Sequence, residues 1–122
     1  MGFTHVTAKV SNLQKSQPPY AASFLVDTGA IVCLAPVEEL RKAGIEPEGR
    51  EAYELANGTP VEYDYGFARI SFMGSETVTK IIFGPNGVEP LLGVTALESV
   101  GIGVDPATQT LKRYAALPLK RC

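Results

Sequence analysis

The sequence predicts a mostly β chain with two short helices. Three observations carry that reading. Short alternating or β-branched runs recur along the chain, Gly, Asn and Pro turn signals separate them, and only two segments carry helix punctuation. At 122 residues the chain is long enough for one domain with a real core. A content of 45% hydrophobic and 20% charged residues is that of an ordinary globular protein, so disorder is not the default.

FTHVTAKV (3–10) alternates and is β-branched, which predicts the first strand. SNLQKSQPPY (11–20) is polar, holds two prolines and reads as a loop. AASFLV (21–26) is a strand that ends at Asp27-Thr28-Gly29, and IVCL (31–34) is a short buried strand. APVEELRKAG (35–44) is a helix. Pro36 stands near its first turn, Glu38 and Glu39 follow, Arg41 and Lys42 come late, and Gly44 stops it.

EAYEL (51–55) and PVEYDY (60–65) flank ANGT, which predicts a hairpin over about 51–66 with an Asn-Gly tip of the type I′ kind. Asp64, between Tyr63 and Tyr65, should face solvent. FARISF (67–72) and TVTKIIF (77–83) are further strands around MGSE. GPNG (84–87) is a turn, and PLL (90–92) is a short apolar strand running into Gly93. In TALESVG (95–101), Thr95 and Glu98 spell a capping box and Gly101 ends a second helix. Asp105 initiates a turn before the last strand, QTLKRY (109–114). Without an internal repeat or a low-complexity tract, residues 1–122 read as a single domain.

Composition excludes several function classes. The net charge is −2, so electrostatics give no reason to expect nucleic acid as a partner. Lys112, Arg113, Lys120 and Arg121 read as a solvated strand and tail. Cys33 and Cys122 form no CxxC. Cys33 lies in an apolar run and reads as a small core residue, and Cys122 as incidental. With His5 the single histidine, no metal site and no cofactor are expected. No stretch approaches 18 consecutive apolar residues, and MGFTHVTAKV lacks the apolar run of a signal peptide. Val6 stands where myristoylation needs Ser or Thr, and Asn57-Gly58-Thr59 reads as a turn rather than a glycosylation site. The expectation is a cytoplasmic protein without a membrane partner.

Asp-Thr-Gly alone is a weak signal, and a plain turn at a strand end accounts for it. Its context is stronger. An apolar strand leads in, Ala30 follows, an apolar strand leads out, a helix and a Gly-containing hairpin come next, and Leu91-Leu92-Gly93 precedes the second helix. Together, LVDTGA and LLGVTALE resemble the retropepsin-like aspartic proteases, above all their small bacterial members, over roughly residues 3–114.

The resemblance implies a closed acid-protease barrel with one half-site per subunit. It implies that Asp27 is the catalytic aspartate, within an active-site loop of Thr28, Gly29 and Ala30. Thr28 would bond across a dimer, and Gly29 would let the loop backbone approach substrate. Asn57, Gly58 and Thr59 would form the tip of a flap, and Leu91, Leu92 and Gly93 the strand beneath the loop. Val32, Val61 and Val94 would line substrate pockets. Ile31 stands where many viral members carry an acidic residue, so a carboxylate contact to substrate is missing there.

Metal-free peptide hydrolysis needs one ionised carboxylate to take a proton from water and one protonated carboxyl to donate. Two close carboxyls divide those roles, because both cannot ionise easily. The chain holds a single Asp-Thr-Gly. A second Asp27 must then come from a second copy, which makes a homodimer acting on an extended peptide the expectation. A catalytically silent module that keeps the fold for dimerisation or peptide binding is the alternative.

Overall fold

The computed structural model describes residues 4–105 and 107–114. Nine strands and two helices follow in the order β1 (His5–Ser11), β2 (Tyr20–Val26), β3 (Cys33–Pro36), α1 (Val37–Lys42), β4 (Gly49–Glu54), β5 (Pro60–Phe72), β6 (Ser75–Gly84), β7 (Leu91–Leu92), α2 (Val94–Ser99), β8 (Ile102–Asp105) and β9 (Thr110–Arg113). Phe3 and Cys122, each part of a sequence expectation, lie outside the described residues, as do Lys120 and Arg121.

Seven strands form one sheet in the order β1-β2-β7-β3-β6-β5-β4. Antiparallel pairing of β1 with β5 joins the sheet to itself, so six strands close a barrel and β4 hangs on the outside of β5. Strands β8 and β9 pair separately as a ribbon. Arg113 fastens that ribbon by donating to Ser75 Oγ at 2.7 Å and to the Met73 carbonyl.

Alternation decides what fills the barrel. Ala8 and Val10 of β1, Phe24 of β2, Ala68, Ile70 and Phe72 of β5, and Leu92 of β7 are all buried. Helix α1 adds Leu40, and α2 adds Ala96 and Leu97. Burying these side chains is the main stabilising term, since each large one removed from water contributes about 1.5–3 kcal/mol.

Four expectations are corrected. The strand expected at 31–34 runs over Cys33–Pro36 instead. Ile31 and Val32 precede it because their carbonyl segment is committed to the loop after Asp27, and Ile31 is 72% exposed. The strands expected at 60–65 and 67–72 are one strand, Pro60–Phe72. Gly66 does not break it; a Cβ there would lie 2.8 Å from the Glu46 carbonyl oxygen, so glycine answers close packing.

The expected capping box is absent. Helix α2 starts at Val94 with Gly93 at the N-cap and no side-chain cap bond. The loop after Asp27 supplies the partners: Val94 N donates to Ala30 O at 2.8 Å and Thr95 N to Ile31 O at 3.2 Å. The Asn-Gly tip is not type I′ either. Asn57 does not have a positive φ, Gly58 does, Gly58 N donates to Leu55 O, and Leu55 N donates to Thr59 O. This is a β-turn over residues 55–58 followed by a glycine bulge, a longer loop than the two-residue one expected. Two consecutive positive φ values occur instead at Met73 and Gly74, between β5 and β6.

Other expectations match. Cys33 is buried. Helix α1 carries Glu38 and Glu39 in its first turn and Arg41 and Lys42 in its last, and Gly44 follows at φ +79°. Asp105 Oδ1 accepts from Ala107 N at 2.9 Å, which is the expected turn. One expectation besides the four above is corrected: Asp64 is half-buried rather than free in solvent, since Arg50 Nη1 donates to it at 3.0 Å.

Candidate active site

Strand β2 delivers Asp27 to the end of the barrel. Phe24 points into the core, and the half-buried Leu25 points the other way. Two residues beyond Leu25, Asp27 continues that outward face. Its backbone is held by β7, because Asp27 N donates to Leu92 O at 3.1 Å. Ala30 N donates back to Asp27 O at 3.1 Å and closes the turn. Within the turn, the carboxylate Oδ1 accepts from Gly29 N at 2.9 Å. Asp27 is half-buried, while Thr28 and Gly29 are exposed.

Strand β7 fixes the loop from below. Leu91 pairs with Leu25 on one side and with Leu34 on the other. At Gly93 an added Cβ would lie 2.6 Å from Val32 O and 2.7 Å from Val32 C. Those are backbone atoms, so no rotamer change could relieve the clash. Gly93 N donates to Cys33 Sγ at 3.4 Å. Burial pushes the Cys33 thiol up to about 11, with the Gly93 N–H acting in the opposite direction. Leu91, Leu92 and Gly93 therefore run directly beneath the Asp27 turn.

Beside the turn is a cavity of about 320 Å³, lined by Thr28, Val94, Leu97, Ile102, Val104 and Tyr114 among others. Val94 thus shares a cavity with Thr28, whereas Val32 and Val61 do not line it. The sequence reading missed Leu97, Ile102, Val104 and Tyr114. Their signal was faint, being only the apolar residues that follow Leu91-Leu92-Gly93. Tyr114 is 52% exposed, so the wall it forms is open to another molecule.

The β4–β5 hairpin carries Val61 and ends in an exposed tip at Asn57, Gly58 and Thr59. Asn57 Oδ1 accepts from Thr59 N at 3.0 Å. On one side of the hairpin, Arg50 donates to Glu62 and Asp64. On the other, Tyr53 stacks on Tyr63 with ring centroids 6.4 Å apart. Lys80 of β6 reaches Glu51 of β4 at 2.6 Å and lies 4.2 Å from the centre of the Tyr65 ring. The hydrogen bond to Glu51 raises the Lys80 ammonium above its ordinary value. These contacts tie the base of the hairpin to β6, while the tip is held by bonds within its own turn.

No family model matches the chain, and no curated protein matches it. Solved structures do. A retropepsin-like aspartic protease from Rickettsia conorii superposes with a TM-score of 0.58 at 21% identity, over 85% of this chain and 77% of that one. The protease of simian foamy virus superposes with a TM-score of 0.51 at 14% identity, over 77% of this chain and 91% of its own. The fold is retropepsin-like. In this retropepsin-like barrel, no group of three or more His, Cys, Asp or Glu side chains able to hold a metal ion occurs among the described residues. No helix among them is long and apolar enough to cross a membrane.

Proposed function

We propose that the chain is an aspartic endopeptidase that works as a homodimer, with Asp27 of each copy supplying one half of the catalytic pair. The observation that carries this reading is the Asp27 turn itself. The Asp27 carboxylate accepts from Gly29 N of its own turn and sits half-buried at a strand end of a retropepsin-like fold. What supports more than a plain turn is Gly93 pressed against Val32 beneath it, in a fold shared with retropepsin-like proteases.

The chemistry then follows from charge. Two Asp27 carboxyls facing each other across a two-fold axis would share one proton, because ionising both places like charges together. The ionised member takes a proton from water, and the resulting hydroxide attacks the peptide carbonyl carbon. The protonated member donates to the carbonyl oxygen. Collapse of the tetrahedral intermediate breaks the C–N bond and passes a proton to the leaving amine.

The exposed Thr28 hydroxyl is proposed to bond across the axis, and Gly29 and Ala30 to border the bound peptide. The cavity beside Thr28, with the exposed Tyr114 in its wall, is proposed to receive the second copy. Asn57, Gly58 and Thr59 are proposed to close over an extended peptide, with Val32, Val61 and Val94 contacting its side chains. Asp27→Asn is the test. Asparagine keeps an oxygen that can accept from Gly29 N, so the fold should persist. Wild type should cleave members of a diverse peptide library read by mass spectrometry, and Asp27→Asn should cleave none. Equal cleavage by both would show that Asp27 does not do the chemistry, and cleavage by neither would leave a silent dimerisation or peptide-binding module.

A further inference from the structure

The face that carries Asp27 also carries a His–Glu contact. His5 of β1 lies opposite Leu25 of β2, and Leu25 lies opposite Leu91 of β7. Residues paired in register share a face. Their neighbours Phe24 and Leu92 point into the core, so His5, Leu25 and Leu91 form a row on the outer face. That row lies two residues upstream of Asp27. Glu89 comes two residues before Leu91, and its Oε2 is 3.1 Å from His5 Nε2. Because β2 lies between β1 and β7, the pair arches over β2.

The pair is exposed, with His5 at 43% and Glu89 at 56% of their side chains. Exposed pairs of this kind add little to stability, so the fold does not account for it. Its surroundings suggest another role. Leu25 and Leu91, both half-buried, form an apolar floor. Leu25 N donates to Pro90 O at 2.9 Å, which holds the residue after Glu89 against β2. The floor thus has Asp27 at one end and Glu89 at the other. Continued from the Leu25–Leu91 register, Glu89 falls four positions before the level of Asp27, about 13 Å at a strand's rise. An extended peptide covers that distance in about four residues.

We infer that Glu89 is a specificity-determining residue that receives a Lys or Arg side chain from an extended peptide lying over the Leu25–Leu91 floor. The basic residue falls within four residues of the bond held at Asp27. His5 is the internal occupant that the peptide displaces. Imidazole carries charge only when protonated, whereas Lys and Arg bring a permanent cation to the carboxylate. This inference rests on the peptide cleft of the proposed function and not on the catalytic step.

The test is binding to the Asp27→Asn protein, where cleavage cannot interfere. One fluorescent apolar octapeptide is walked with a single Lys, Leu or Glu at each position, and dissociation constants are read by anisotropy. At one position Lys should bind about 10-fold more tightly than Leu, as a charge-assisted hydrogen bond allows, and Glu should bind most weakly. Adding Glu89→Gln should remove the Lys preference, Glu89→Lys should turn it toward Glu, and His5→Ala should leave the Lys preference in place. Identical profiles with and without Glu89→Gln would overturn the inference, as would absence of binding by every peptide. A Glu89-dependent preference in a protein whose Asp27 form cleaves nothing would keep this inference and sink the peptidase reading.

Discussion

Gly93→Ala should destabilise the protein far more than an exposed single-methyl change. The new Cβ would meet Val32 O at 2.6 Å, Val32 C at 2.7 Å and Ile31 C at 3.0 Å. Overpacking of this kind costs about 1–3 kcal/mol. Relief requires β7 to move away from residues 31–32. That movement would stretch the bonds from Val94 N to Ala30 O, from Thr95 N to Ile31 O and from Gly93 N to Cys33 Sγ. Each bond lost costs about 1 kcal/mol. With one to three of these bonds lost, the expected total is about 2–6 kcal/mol, a large part of the about 5–15 kcal/mol that holds a typical domain together. Urea unfolding at a fixed chain concentration measures it, and amide exchange at Val94 and Thr95 should speed up in the variant. Gly58→Ala is the control. Nothing lies within 4 Å of a Cβ there, so its cost is only the backbone strain at φ +85°, about 1 kcal/mol. Two variants of equal stability would refute the argument that β7 is pressed against the loop.

Two further outcomes follow from the same region. Thr28→Ala should weaken a dimer by about 1–3 kcal/mol per lost hydroxyl bond and leave the monomer fold unchanged; sedimentation across a concentration series reads it, and an unchanged dissociation constant would make Thr28 a simple turn residue. The Cys33 thiol, about 11 in the fold against an ordinary 9.0, keeps its proton while the unfolded chain has lost it. Its contribution is therefore complete below pH 9 and disappears as pH rises to about 11, on the order of 2–3 kcal/mol. Urea midpoints of wild type minus Cys33→Ala across that window isolate it, and parallel curves would contradict the burial.

Much of the architecture was legible because it rests on local patterns. Alternation marked β1, runs set off by turn signals marked β2 and β6, charge order marked α1, and Leu91-Leu92-Gly93 marked the strand under the loop. What was not legible depended on tertiary neighbours. Thr95 and Glu98 have the spacing of a capping box, but Ala30 and Ile31 carbonyls reach the helix end first. Gly66 looks like punctuation until the Glu46 carbonyl appears beside it. Ile31 is apolar in sequence yet faces out, because its carbonyl is tied to Thr95. The cavity beside Thr28 gathers residues from α2, β8 and Tyr114, and no short window of sequence can reveal such a gathering. The pairing of His5 with Glu89 was hidden for the same reason.

The Asp27 turn also has a place in time. Strands β5 and β6 can zip from the tight Met73-Gly74 turn as soon as both exist. Residues 24–26 find β1 on one side just as early. On the other side, the segment 25–30 bonds to Pro90, Leu92 and Val94, from the last third of the chain. Closing so long a loop must wait until other pairings have shortened the effective distance. On the ribosome, the Asp27 segment emerges early and stays without its floor until Gly93 has followed it out. A nascent chain stopped before residue 90 carries Asp-Thr-Gly but not the strand that gives the motif its shape.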